Sequence, residues 1–169
     1  AEQFEDKGIY YSVKDKNNFK NKKVCIFGGG DSALDWAIEL SKISEVTLIH
    51  RRHEFRGAKH TEKKMRELVA EEKIILKVPY VIKDINGKDN FTGVNLLHFE
   101  TKEIETINCD ESLFFFGLNK QLGPIHNWGV ALENNKILVN TENFETDKPG
   151  IFAVGDINHY PGKLDLILC

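Results

Sequence analysis

Three small residues and three arginines carry the chemistry that can be read from this chain. Gly28, Gly30 and Ala33 fit the pattern Gly-x-Gly-x-x-Ala, with Gly29, Asp31 and Ser32 filling the intervening positions. A turn this bare lets the backbone approach a pyrophosphate. The last small residue lets a helix lie close on a strand, and the free N–H groups at the helix start point at the phosphate. An NAD site places Asp or Glu about 20 residues further on, against the ribose 2′-hydroxyl. This sequence has His50, Arg51 and Arg52 there, with Arg56 close behind. A carboxylate would repel a 2′-phosphate, whereas guanidinium groups attract it and offer paired N–H donors. Each charge-assisted bond contributes about 1.5–3 kcal/mol. Two well-placed arginines therefore predict a preference for NADPH over NADH of about a hundredfold or more. The alternatives are a glycine turn of some other α/β unit and a solvated basic loop.

The neighbouring residues position these groups. Val24-Cys25-Ile26-Phe27 is a continuous apolar run, as expected of a strand buried on both faces of a parallel sheet. Ala33, Leu34, Ala37, Ile38 and Leu40 form a broad apolar stripe on the following helix. Residues 46–49 return as a second apolar strand after a short connection. A strand before the glycines, a helix after them and a returning strand are the context a dinucleotide site requires.

Composition bounds the rest. The 169 residues are 41% hydrophobic and 29% charged, with a net charge of −3, which fits an ordinary globular domain or a domain and a half. Nothing in that balance points to nucleic acid. No apolar run approaches the roughly 18 residues of a membrane span, and the acidic start at residues 1–6 does not read as a signal peptide. Cys25, Cys109 and Cys169 are far apart in sequence and form neither a Cys-x-x-Cys pair nor a metal spacing. Cys25 reads as a small buried hydrophobe, and the cysteine usage fits a reducing cytoplasm. No metal site is expected. The histidines other than His50 read as surface or loop residues. The start at Ala1 and the end inside an apolar segment at Cys169 lead us to expect a piece of a longer chain.

Further along, Ile9 to Val13 predicts a short strand, residues 61–70 a charged helix capped by Thr61, and residues 74–78 a third parallel strand. Residues 80–85, 91–100 and 105–109 alternate in hydrophobicity between turn-forming stretches, which predicts an antiparallel meander of three strands. Residues 112–117 are expected to return to the parallel sheet. Residues 118–129 read as loop, and 136–140 and 151–156 as strands.

These motifs resemble a known family. Gly28 to Ala33 with His50-Arg51-Arg52-x-x-Phe55-Arg56 is similar to the NADPH domain of the low-molecular-weight thioredoxin reductases and their relatives. Residues 149–156, ending in Gly155-Asp156, resemble their second flavin motif. Thioredoxin reductases carry a redox Cys-x-x-Cys just before the NADPH motif, and here that place holds Ser12-Val13-Lys14-Asp15. Residues 122–129 and 160–167 resemble the thioredoxin-reductase-like ferredoxin/flavodoxin–NADP reductases. The resemblance implies an α/β fold: a Rossmann-like dinucleotide-binding domain over residues 1–117, its parallel sheet flanked by helices and carrying the meander. Residues 118–169 would then be part of a split FAD-binding domain. It implies a cytoplasmic homodimer in which NADPH gives hydride to FAD and electrons pass to ferredoxin or flavodoxin. Gly28, Gly29, Gly30, Asp31, Ser32, Ala33, His50, Arg51, Arg52 and Arg56 would serve NADPH, and Gly155 and Asp156 would serve FAD. No catalytic side chain is expected, because the cofactors carry hydride transfer. The first FAD glycine motif is absent, so this chain is expected to bind NADPH but not to hold FAD or turn over alone. The alternatives are a thioredoxin reductase-like flavoenzyme and a non-catalytic NADPH-binding module.

Overall fold

Val24, Cys25, Ile26 and Phe27 are all buried, and they divide between two layers: Val24 and Ile26 face one, Cys25 and Phe27 the other. The computed structural model describes residues 2–117 and 122–163. The chain divides into two compact units, Ala1–Gly117 and Leu118–Cys169.

In the first unit, β1 (Ile9–Tyr10) and β2 (Lys23–Gly28) are followed by α1 (Asp31–Leu40), β3 (Glu45–Ile49), α2 (Lys59–Ala70) and β4 (Ile74–Lys77). The chain then runs through β5 (Tyr80–Gly87), β6 (Phe91–His98) and β7 (Ile104–Asn108), and ends in β8 (Glu111–Phe115). Strands β1, β8, β2, β3 and β4 lie side by side in that order, and every neighbouring pair is parallel. The meander β5-β6-β7 is antiparallel throughout. Val24, Ile26, Leu48 and Leu113 pack against Leu34, Ala37, Ile38 and Leu40 of α1 and Met65 of α2. On the opposite face Cys25, Phe27, Ile49 and Phe114 pack against Phe91, Val94 and Leu96 of the meander. The result is a Rossmann-like parallel sheet with helices on one face and the expected antiparallel meander on the other.

The strand order fixes where a ligand can enter. From β2 the chain steps through α1 to β3 and through α2 to β4, always in one direction. It comes back as β8 on the other side of β2. The sheet therefore has a topological switch point between β2 and β8, and the crevice beyond the carboxyl ends of those strands is where open α/β sheets bind ligands.

Two local expectations in this unit are corrected. Helix α2 begins at Lys59 with Ala58 at its N-cap, so Thr61 lies inside the first turn, buried, and does not cap it. The predicted strand from Ile9 to Val13 is only two residues long, since β1 pairs with β8 only at Ile9 and Tyr10.

In the second unit, β9 (Leu132–Glu133) and β10 (Lys136–Leu138) form a hairpin through Asn134 and Asn135, both at positive φ, as a two-residue hairpin turn requires. β11 (Asn158–His159) runs parallel to β10. The strand predicted at 136–140 is thus shorter, and the one predicted at 151–156 does not form. Phe152 makes a single bridge to Glu145, and Gly155–Ile157 is a short 3₁₀ turn. The reason lies in the partners available. The Asn158 side chain donates to the Ala153 carbonyl (2.8 Å) and the Lys163 ammonium to the Gly155 carbonyl (2.5 Å), so side chains take the place of a strand ladder. The expected loop contains one 3₁₀ turn at Gly123–Asn127. The apolar stretch 164–169, including Cys169, lies outside the described residues.

Leu113 is completely buried at the centre of the sheet, between β1 and β2. Leu113→Ala is expected to cost about 2–5 kcal/mol, measured as a fall in the urea midpoint with little change in slope.

Candidate functional site

The corner between β2 and α1 is held by contacts that only small residues permit. Gly28 has φ +151 and pairs with Phe115 of β8. A Cβ at Gly28 would meet the Phe115 carbonyl at 2.6 Å and the Ala33 methyl at 2.8 Å. Gly28 and Ala33 are therefore two halves of one contact, which brings the helix down onto the strand. Gly30 is the N-cap of α1, and a Cβ there would meet nothing within 4 Å. The space beside Gly30 is open, and the unpaired N–H groups of the first helical turn lie next to it.

A second segment closes against this corner. Residues 50–58 leave the end of β3 and run back over the glycine turn. The His50 N–H donates to the Lys77 carbonyl and the His50 carbonyl accepts from Tyr80 N–H, both at 3.0 Å, which fixes the start of the segment. The Arg56 N–H donates to the Gly29 carbonyl at 2.7 Å, and the Ala58 N–H to the Asp31 carboxylate at 2.7 Å. The His50 ring stacks on Phe55, with centroids 5.1 Å apart and planes at 30°. Phe55 in turn carries the Arg66 guanidinium 5.4 Å from its centroid, and Arg66 is paired with Glu62 at 2.8 Å.

Together these elements enclose a cavity of about 410 Å³ at the carboxyl ends of the strands. Following the sheet order, Arg51, Arg52 and Arg56 line it beyond β3. Gly28, Gly29 and Gly30 line it beyond β2, and Phe115, Phe116 and Gly117 beyond β8. Val81 and Ile82 of the meander supply an apolar wall. The three arginines are exposed, and so is Phe116. The site thus runs from a cationic end, across a bare helix N-terminus, to an aromatic end. This arrangement suits an extended anion with planar groups.

The glycines, Ala33, His50 and the arginines are brought together here. Ser32 is exposed on the first turn of α1. The Asp31 side chain is engaged by Ala58, so it serves the segment over the turn. Phe55 enters the sequence reading only as part of the resembling motif, with no role of its own; here its ring is what His50 stacks on. Gly155 and Asp156 are in the second unit, on the exposed 3₁₀ turn.

Cys25 and Cys109, distant in sequence, meet in the core beneath the site. Cys109 Sγ is 3.7 Å from Ser112 Oγ. A hydrogen bond to Cys109 together with burial holds the Cys25 thiol far above its ordinary range.

The chain matches the pyridine nucleotide-disulphide oxidoreductase family over residues 2–167. It belongs to that family. It is 50% identical over 168 residues to a ferredoxin–NADP reductase of Pelagibacter ubique (strain HTCC1062), covering 99% of this chain and 49% of that protein. It is 48% identical over 170 residues to a ferredoxin–NADP reductase of Flavobacterium johnsoniae (strain UW101), covering 99% of this chain and 48% of that protein. The chain thus spans about half the length of the curated relatives it matches. Among solved structures, Lactococcus lactis thioredoxin reductase superposes with a TM-score of 0.81 at 27% identity, covering 97% of this chain and 54% of that one. T. acidophilum thioredoxin reductase, at 24% identity and a TM-score of 0.79, covering 98% of this chain and 53% of that one, shares the fold. Among the described residues no helix is long and apolar enough to cross a membrane.

His50 is half-buried, and its pKa is lowered, mainly by burial and further by the charges of Arg51, Arg52 and Arg56, against a hydrogen bond with the Glu54 backbone that raises it. A base whose folded pKa lies below its unfolded value is most stabilising when neutral in both states. That contribution is complete above about pH 6.5 and is lost as pH falls below it, where the unfolded chain binds the extra proton first. Lowering the pH from about 7 to about 5 should therefore lower the thermal midpoint, and His50→Asn should flatten part of that dependence in parallel melts.

Proposed function

We propose that residues 1–117 are the NADPH-binding domain of a flavoprotein ferredoxin–NADP reductase, and that residues 118–169 belong to its FAD-binding domain. The observation that carries this reading is the cationic end of the cavity. Arg51, Arg52 and Arg56 line the same space as the glycine turn, at the position where a carboxylate would select NADH. The residues present fit the cofactor: space beside Gly30 for a pyrophosphate, helix N–H groups to hold it, and guanidinium donors for the 2′-phosphate.

In this reading the sheet order sets the register of the ligand. The adenosine end lies beyond β3 with its 2′-phosphate among Arg51, Arg52 and Arg56. The pyrophosphate crosses Gly28–Gly30, and the nicotinamide end lies beyond β8 near Phe115 and Phe116. NADPH, when bound, supplies the hydride that the flavin of such enzymes accepts. The chain's own residues bind and orient; His50 flanks the phosphate-binding arginines, and Asp31 and Ser32 contribute backbone at the helix start. Gly155 and Asp156 are assigned to FAD. The proposed electron acceptor is ferredoxin or flavodoxin, and the proposed setting is a cytoplasmic homodimer of the longer protein. A thioredoxin reductase-like role is disfavoured by Ser12-Val13-Lys14-Asp15, which offers no redox cysteine pair.

Calorimetry with NADP⁺ and NAD⁺ tests the reading. Wild type should favour NADP⁺ by about a hundredfold. Replacing Arg51 and Arg52 together with Ala should remove most of that preference while leaving NAD⁺ affinity little changed. Equal weakening toward both nucleotides would refute it. Because these arginines are exposed, the preference should also shrink as salt is raised. A second expectation concerns FAD: the purified chain should lack the flavin absorption band, and a stoichiometric yellow chain would show that these residues hold FAD unaided.

A further inference from the structure

The middle glycine of the turn has no role in the Gly-x-Gly-x-x-Ala pattern, where its position is free. Its φ lies outside the left-handed region, so the backbone itself would accept a side chain. What forbids one is His50. A Cβ at Gly29 would sit 2.6 Å from Nδ1 of the His50 ring and closer still to Cε1 and Nε2. The ring therefore rests directly on the Gly29 backbone. Its position is fixed by several neighbours: main-chain bonds to Lys77 and Tyr80, Phe55 stacked alongside, and Arg56 N–H bonded to the carbonyl of the same Gly29. The phosphate turn and the arginine segment thus meet at one residue, through one side-chain contact and one hydrogen bond.

Resting on the reading of this cavity as an NADPH site, we infer that His50 and Gly29 form a matched pair that sets the distance between the pyrophosphate turn and the 2′-phosphate arginines. His50 is a positioning residue, and its ring acts by packing. An NADPH molecule has a fixed span from pyrophosphate to 2′-phosphate. It engages both ends at full strength only if the two protein segments are held at the matching separation. NADH lacks the 2′-phosphate and gains nothing from that match. The pair is therefore specificity-determining although it need not touch the 2′-phosphate itself.

A double-mutant cycle over Gly29→Ala and His50→Ala tests this, with NADP⁺ and NAD⁺ affinities read by calorimetry and folding read by thermal melts. His50→Ala should lower the NADP⁺/NAD⁺ affinity ratio by about tenfold, and His50→Asn, which also removes the ring, should do the same. Gly29→Ala should weaken NADP⁺ by about tenfold or more beside His50, but by less than about twofold in the His50→Ala background, where the vacated ring space takes the methyl. The inference is overturned if Gly29→Ala costs the same in both backgrounds, or if either folded His50 variant keeps the wild-type ratio. A Gly29→Ala protein that melts early and recovers when His50→Ala is added supports it. Wild type and the Arg51/Arg52 double variant separately test the NADPH reading. If wild type shows no preference for NADP⁺, that reading fails, and the specificity claim fails with it. The melting midpoints of the cycle would still score the packing contact.

Discussion

The contact among Gly28, Ala33 and Phe115 is the constraint on which the rest of the site depends. It brings together the end of β2, the first turn of α1 and the end of β8, three segments separated by up to 87 residues of chain. A methyl group added at Gly28 would press against a carbonyl oxygen and another methyl at once, and neither is the free end of a flexible side chain. Helix α1 would have to move away from the sheet. The open space beside Gly30 exists because that close approach leaves the helix start bare, with its N–H groups directed at the crevice.

Around this corner the molecule joins two kinds of surface. The glycine turn is built from backbone, and its geometry is set by a core of completely buried residues on both faces of β2. The arginine segment is exposed and polar, and it takes its position from the turn. The hydrogen bonds from Arg56 to Gly29 and from Ala58 to Asp31, with the stacked rings of His50 and Phe55, make the second depend on the first. Among the described residues Arg51, Arg52 and Arg56 form no ion pair, and their placement is supplied by neighbouring contacts.

Much of this was legible in the sequence, for identifiable reasons. The strands of the parallel sheet are apolar along their length because both faces are covered, and the meander alternates because one of its faces is not. Turn residues and periodicity therefore revealed the architecture. The boundary of α2 was misplaced because Thr61 resembles a cap in sequence but is buried. Residues 151–156 look like a strand, yet the Ala153 and Gly155 carbonyls are taken by the side chains of Asn158 and Lys163, five and eight residues further on, a choice that apolar patterning does not record. The meeting of Cys25 with Cys109, and the seating of His50 on Gly29, were hidden for another reason. Each joins segments whose separation in sequence carries no trace of their proximity in space.

The order of strands also bears on how the chain can assemble. Among the described residues β8 is the only strand that β1 pairs with, and β8 also forms one side of β2. This two-residue strand thus has no strand partner until residues more than 100 positions later are available. During synthesis, β2, β3 and β4 with their helices can pair first, and the meander can close locally through its hairpins. The sheet's inner seam waits for residues 111–115, and parallel pairing across such distances is slow. The crevice beyond β2 and β8 therefore cannot be complete before residues 111–115 are in place. Until it does, the apolar flank of β2 stands as an open edge for pairing with the wrong strand.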